Sequence, residues 1–320
     1  MEATIVVQAT GLLQDLLGPN DANLKEIELL TGAIIHAKGN ELVVETDSPA
    51  TKVLVQNMFA EIQRLFFQGR SIDTQLIHAI HQGYEHGTQA VREGFQKESI
   101  MIPGGFQAIF PRTIRQTSLI QRLNSTDVTF SIGPAGTGKT YLSIAHALQE
   151  VLEKRYRKLI LSRPVVEAGE NLGFLPGDLT QKLNPYLKPL YDAMESLIPH
   201  EIIQRLHDQN IVEVAPLAYM RGRSLNGCYI ILDEAQNTTI EQMKMFLTRM
   251  GERSKVVVTG DVTQIDLPRS KTSGLVHALK ILHSIEEIGV QHFTATDVVR
   301  HALVQKIITA YEKQSSRGDE

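Results

Sequence analysis

Residues 128–142 read VTFSIGPAGTGKTYL, and the fold turns on how this stretch is understood. Gly133, Gly138, Lys139 and Thr140 fit the spacing G-x-x-x-x-G-K-[ST], with Gly136 as a further glycine. Glycines this dense would weaken either a strand or a helix. They suit a loop whose backbone N–H groups curl around an anion, at the start of a helix whose dipole favours negative charge. The expected phosphate cradle is Gly133, Pro134, Ala135, Gly136, Thr137, Gly138, Lys139 and Thr140. In such a loop the lysine reaches the β- and γ-phosphates and the Thr140 hydroxyl ligates Mg²⁺. Chance would produce the four constrained positions in about one chain in a hundred. The apolar run before the loop and the apolar helix pattern after it weaken the chance reading further.

Two later strand ends extend the site. CYIILDEAQN (228–237) places Asp233 and Glu234 after an apolar run, at the carboxyl edge where α/β sheets bind ligands. Asp233 is the candidate Mg²⁺ ligand, and Glu234 the candidate base that orients and deprotonates a water. The second carboxylate favours hydrolysis over phosphorylation of a small molecule. KVVVTGDVTQIDLP (255–268) ends its apolar run in Thr259, Gly260 and Asp261, with Gln264 as the candidate sensor of the γ-phosphate. Gln116, ahead of the loop, is a candidate reader of the adenine edge. No N-K-x-D element follows the loop, which favours ATP over GTP.

From residue 113 onward, short apolar runs (VTFSIG, LILS, IVEVA, CYIILDE, KVVVTG, HFTAT) alternate with helical stretches. That alternation predicts a parallel sheet covered on both faces, an α/β fold. Residues 1–86 read as a small α+β unit. TIVVQA (4–9) is strand-like and 23–32 forms a helix ending at Gly32. A hairpin turns at Gly39-Asn40, Ser48-Pro49 opens a helix to Phe67, and another helix spans 73–85. The pattern fades over 87–112, the expected linker, and residues 314–320 form a polar tail.

Composition bounds the partners. The net charge of −4 gives no general nucleic-acid footprint, so any such site must be a local patch. The best basic clusters are Lys154, Arg155, Arg157 and Lys158, then Arg221 and Arg223. The first cluster equally suits a helix end facing the macrodipole. A single cysteine, Cys228, excludes an internal disulfide framework and a cysteine zinc site. With no secretory pattern at the N-terminus and no apolar run of membrane-spanning length, a cytoplasmic location and no membrane contact are expected.

Five ordered motifs carry a resemblance: GPAGTGKT, RPVVEAGENLGFLPGDL (163–179), YIILDEAQN, VVVTGDVTQIDLP and DVVRHALVQ (297–305). From about 107 to 313 the chain resembles the PhoH-like ATPases, which are similar to superfamily-one helicases in their nucleotide core. The resemblance implies a RecA-like P-loop NTPase domain over 113–313, using ATP and Mg²⁺. It also implies RNA as a partner, and a link to ribosomal RNA processing with a YbeY-class endoribonuclease. Residues 1–86 resemble a reduced KH domain, whose GxxG loop grips a nucleic-acid backbone. Here the corresponding loop is Gly18-Pro19-Asn20-Asp21, and the aspartate leaves two readings open: a weakened RNA reader or a docking module.

Helicases of that superfamily close their ATP site with arginines from a second RecA-like domain. After Gln264 only 56 residues follow (320 − 264), fewer than the roughly 100 such a domain needs. Arg300 is therefore the candidate arginine finger for a neighbouring subunit, with Arg163, Arg249 and Arg269 as rivals and an Asp297-paired surface arginine as the plain alternative. A finger in trans requires a head-to-tail ring, and the resemblance favours a hexamer. Segment 163–179 either faces nucleic acid or folds over the ring surface. The leading expectation is an RNA-directed ATPase that remodels RNA. The alternative is an ATP-gated interaction switch with no unwinding of its own.

Overall fold

The computed structural model of the chain describes residues 2–7, 10–85, 87, 89–165, 179–268 and 270–298. Its contacts separate into two units, Met1–Ser99 with Phe110–Ser118, and Ile100–Ile109 with Leu119–Glu320.

The first unit runs β1 (Glu2–Val6), α1 (Thr10–Leu17), α2 (Ala22–Thr31), β2 (Ile34–Lys38), β3 (Glu41–Glu45), α3 (Pro49–Phe67), α4 (Thr74–Glu85) and α5 (Gln89–Lys97). Its sheet is antiparallel in the order β1-β3-β2. Val44 lies opposite Ala3 on one side and Ile35 on the other, and all three are buried. The hairpin closes at Gly39-Asn40, with φ of 64° at Gly39 matching the right-handed strand twist. Gly32 ends α2 in the left-handed region, its N–H returning to the Glu28 carbonyl. The Ser48 hydroxyl accepts the Thr51 N–H and caps α3, with Pro49 in its first turn. The hairpin and the later helices match the reading of residues 1–86, but the first strand is Glu2–Val6 rather than 4–9, of which 8 and 9 lie outside the described residues, and α1 had no counterpart in it.

The stretch 87–112, expected as a linker, carries α5, and Phe95 on that helix is buried in the first unit's core. Arg70 is the reason. The residue is 5% exposed, and its guanidinium donates to the Phe95 carbonyl at 2.6 Å and lies over the Phe95 and Phe110 rings at 4.9 and 4.7 Å. Burial lowers its pKa to about 10, so it keeps its proton at neutral pH.

The second unit runs from the end of α6 (Ile114–Ser125) through β4 (Val128–Ile132), α7 (Lys139–Leu152), β5 (Lys158–Arg163), α8 (Leu179–Glu195), α9 (His200–Asp208) and β6 (Val212–Pro216). It continues with β7 (Cys228–Leu232), α10 (Ile240–Leu247), β8 (Lys255–Gly260), α11 (Gly274–Leu282) and β9 (Ile288–His292). The six strands are parallel, in the order β6-β5-β7-β8-β4-β9. Alternate residues feed two cores, as a sheet covered on both faces requires. Leu159, Leu161, Tyr229, Ile231 and Val257 pack with α7, α8 and α9. Ile160, Ile230, Leu232, Val256 and Val258 pack with α10 and α11. His146 on α7 is buried between the Asn124 side chain and the Tyr229 hydroxyl, and burial pushes its pKa down to about 3. It is a neutral structural pin between helix and sheet.

The sixth strand needs correction. It is Ile288–His292 rather than HFTAT, and residues 295–297 form a 3-10 turn. An edge strand buries only alternate positions, and here those are Gly289 and Gln291, so no apolar run marks it. Among the described residues no helix is long and apolar enough to cross a membrane.

The packing around Arg70 yields a stability prediction. Arg70→Ala removes the stacked guanidinium and its hydrogen bond, and should cost about 2–4 kcal/mol in chemical denaturation of the first unit. Arg70→Met keeps most of the volume without the buried charge and should cost about 1 kcal/mol or less.

Candidate functional site

The phosphate loop leaves β4 at Gly133, whose N–H bonds the Gly260 carbonyl at the end of β8. A Cβ on Gly133 would lie 2.6 Å from the Phe293 carbonyl oxygen, so no larger residue fits between β4 and the chain leaving β9. Gly136 and Gly138 have φ of 84° and 82°, and Gly138 opens α7 with no side-chain cap. The loop thus presents backbone to its concave side. Lys139 folds back over it, donating to the carbonyls of Gly133 at 2.6 Å and Pro134 at 2.7 Å. The Thr137 hydroxyl bonds the Pro134 carbonyl.

The sheet order then brings the other strand ends to this loop. β8 lies between β4 and β7, so Thr259 faces the Asp233 carboxylate. Asp233 Oδ1 accepts from the Thr140 hydroxyl at 2.7 Å and from the Thr259 hydroxyl at 2.6 Å. Asp233 is 6% exposed. The Thr140 and Asp233 oxygens form a hard-donor pair beside the loop, which suits Mg²⁺. The glycine-built cradle and the adjacent ammonium suit a polyphosphate. The residues present therefore fit both groups that the motif implies.

Arg163, at the carboxyl end of β5, takes a part that the sequence reading did not give it. Its Nε lies 3.2 Å from Asp233 Oδ2, and a terminal nitrogen lies 3.0 Å from Glu234 Oε1. The other terminal nitrogen donates to the Tyr186 carbonyl. One planar guanidinium so ties both candidate carboxylates to β5. Glu234 adopts φ 55°, ψ 37°, a left-handed conformation uncommon outside glycine. Its Oε2 accepts from the Gln236 amide, and Gln236 Oε1 in turn accepts the Asp261 N–H at 3.0 Å. Asp261 holds the Thr263 N–H and hydroxyl, and its second oxygen accepts from Gln264 Nε2 at 2.8 Å. Gln264 is therefore exposed and anchored to the β8 turn.

The remaining candidates are not among these contacts. Gln116 lies on α6 in the first unit, 4% exposed, its Oε1 accepting the Arg112 N–H at 2.7 Å. Arg249 donates to the Arg223 carbonyl, and its own carbonyl pairs with Leu225 ahead of β7, at the amino edge of the sheet. Arg269, Arg300 and residues 166–178 lie outside the described residues. Gln236 was the other contributor the sequence reading passed over. It stood inside the quoted DEAQN motif, and only the β7–β8 pairing shows that it bridges two strand ends.

Removing the guanidinium leaves a buried carboxylate without its cation. Arg163→Ala should lower the stability of the second unit by about 1–3 kcal/mol, read as a fall in thermal midpoint. Arg163→Lys should recover only part of it, because an ammonium cannot bridge two carboxylates and a carbonyl in one plane.

Comparison with known proteins agrees with this geometry. The profile of the PhoH-like protein family matches residues 108–312, which span the loop and all the strand ends just described. A PhoH-like protein of Mycobacterium tuberculosis (strain ATCC 25618 / H37Rv) is 44% identical over 308 residues, covering 96% of this chain and 87% of that one. A PhoH-like protein of Bacillus subtilis is 42% identical over 301 residues, covering 94% of each. Protein PhoH of Escherichia coli K12 is 44% identical over 205 residues, covering 63% of this chain and 58% of that one. A phosphate loop whose threonine meets the β7 aspartate, together with relatives matched across nearly the whole chain, shows that the chain belongs to the PhoH-like protein family.

Proposed function

We propose that this protein is a cytoplasmic ATPase that couples ATP hydrolysis to the handling of RNA. The observation that carries the hydrolytic part is the Thr140–Asp233 contact at 2.7 Å beside the glycine loop, with Glu234 next in the chain. Lys139 would exchange the Gly133 and Pro134 carbonyls for the β- and γ-phosphate oxygens, a short swing of a flexible side chain. Mg²⁺ held by Thr140 and Asp233 would supply neutralisation of the phosphate oxygens as charge moves to the leaving group. Glu234 would take the proton of the attacking water as its oxygen bonds to the γ-phosphorus and the bond to ADP breaks. Glu234 cannot do this while its oxygens hold Arg163 and Gln236, so the resting contacts must open first.

RNA as the partner is supported by the resemblance of the ordered motifs and by the first unit. Its order β1-α1-α2-β2-β3-α3 puts the Gly18–Asp21 loop between two helices, where the GxxG loop of a KH domain would lie. Gly18 is sterically demanded there, since a Cβ would meet the Asn23 side chain at 2.7 Å. Asn20 and Asp21 both have positive φ. Asp21 brings negative charge to the loop, which favours the second reading of this unit as a docking module for a protein such as a YbeY-class endoribonuclease. Under that reading ATP gates the interaction and the chain unwinds nothing.

Steady-state ATP turnover with and without single-stranded RNA separates the two. Lys139→Ala should lower turnover at least about 100-fold, as loss of a direct transition-state donor does. Stimulation by RNA that fades with rising salt is the expected result, because phosphate contacts release counterions. Turnover indifferent to RNA but raised by the endoribonuclease would favour the switch.

The closing arginine is proposed to come from a neighbouring subunit in a head-to-tail ring, a hexamer, with Arg300 as the finger. Lys139→Ala and Arg300→Ala subunits, each inactive alone, should regain part of the activity when mixed, since some interfaces then pair an intact loop with an intact arginine. No recovery in demonstrably mixed assemblies would sink the trans arrangement.

A further inference from the structure

Members of the two basic clusters of the sequence, far apart in the chain, meet in one place. Arg157 and Lys158 at the start of β5 and Arg223 ahead of β7 line a cleft of about 220 Å³, with Asn210 and Ser224 on its walls. The cleft opens at the amino ends of β6, β5 and β7. The phosphate loop and Asp233 sit at the opposite, carboxyl ends. Cys228 on the cleft and Asp233 just past β7 are five residue steps apart, roughly 17 Å of strand. The two sites are distinct.

The cations are held in place by one carboxylate. Glu213 accepts both terminal nitrogens of Arg223, at 2.6 and 2.9 Å, and the Lys158 ammonium at 2.7 Å. Lys158 also donates to Asn210 Oδ1 at 2.7 Å. The Arg223 hydrogen bonds, helped by Lys158, hold the Glu213 carboxyl at about 2, so it stays ionised at neutral pH. It cancels one of the three positive charges and leaves the cleft at +2. Arg157 is exposed and fixed by its Nε on the Asn226 carbonyl at 2.6 Å. Among the described residues no carboxylate lies within ion-pair range of it. A fixed guanidinium facing a polar recess beside a second, pre-positioned cation is a fork for an oxyanion.

We propose that this cleft binds a phosphate group, at a site separate from the nucleotide loop. A terminal phosphate dianion, or two consecutive phosphodiesters of a strand, balances the charge of +2, whereas a single carboxylate leaves half of it uncompensated. The phosphate comes either from an RNA strand or from a free phosphorylated small molecule, and the test distinguishes them.

Two exposed positions serve as variants. Arg157→Ala removes the unpaired cation, and Ser224→Asp adds a negative charge to the wall without touching the Glu213 cluster. The nucleotide loop is first saturated with ADP, and ADP affinity and thermal midpoint are recorded to show that each variant is folded. Binding of an oligouridylate and of inorganic pyrophosphate is then measured at low salt on the full chain. Each variant should weaken binding about threefold to tenfold, with ADP affinity unchanged. Weakening with oligouridylate alone identifies a strand as the source. Weakening with pyrophosphate alone identifies a free ligand, and weakening with both supports the shared phosphate chemistry. Unchanged affinity for both probes in both variants overturns the proposal, as does a wild-type chain that binds neither. ATP turnover is not the readout, so a failure of the ATPase reading leaves this result intact.

Discussion

The second unit depends on a buried carboxylate that must never be without partners. Asp233 is 6% exposed and gathers the Thr140 hydroxyl from α7, the Thr259 hydroxyl from β8 and the Arg163 guanidinium from β5. A carboxylate buried alone would cost several kcal/mol, so the strands that bring these donors are constrained together. The order β5-β7-β8-β4 is the arrangement that meets the requirement, because it flanks β7 with the arginine strand on one side and the threonine strand on the other. The same contacts that satisfy the aspartate hold the phosphate loop against the strand ends. Stability and site geometry share one set of hydrogen bonds.

Much of this was legible in the sequence because the central strands are continuous apolar runs. β7 is buried at all five positions and β8 at all six, so each run stands out, and the polar residue that ends it marks the carboxyl edge. The glycine loop was legible for a related reason, since its φ values of 84° and 82° need residues that seldom cluster by accident. What escaped was whatever depends on neighbours distant in the chain. β9 hides because its inward positions are Gly289 and Gln291. α5 carries one large apolar anchor, Phe95, and its docking relies on Arg70, a residue that composition alone assigns to the surface. Arg163 was visible as an arginine at a strand end. Its hold on Asp233 and Glu234 follows only from the adjacency of β5 and β7, which alternating strands and helices do not specify.

The sheet has two polar edges, and their charge logic differs. At the carboxyl edge Arg163 and Lys139 face Asp233 and Glu234, so positive and negative charges are matched and the lysine rests on carbonyl dipoles. A polyphosphate brings excess negative charge there, which a divalent cation must share. In the amino-edge cleft one glutamate serves two cations and a third stands apart, so positive charge is in excess there. A chain with net charge −4 has little general attraction for polyanions, and a local positive recess is the means by which such a chain would hold one.

Glu234 joins the two strand ends mechanically. Its left-handed backbone costs about 1 kcal/mol, and the conformation persists because one carboxylate oxygen is held from β5 and the other by Gln236 of the same turn, itself tied to β8. One oxygen is held by Arg163 on β5. The other is held by Gln236, which also accepts the Asp261 N–H at the end of β8. Asp261 then fixes Thr263 and Gln264 through its own two oxygens. A displacement of Glu234 away from Arg163 therefore loads Gln236, and through its hydrogen bond to the Asp261 N–H the β8 turn. The turn that carries Gln264 is coupled to the carboxylate through two hydrogen bonds in series. Each is weak enough to open at modest cost and directional enough to transmit the movement.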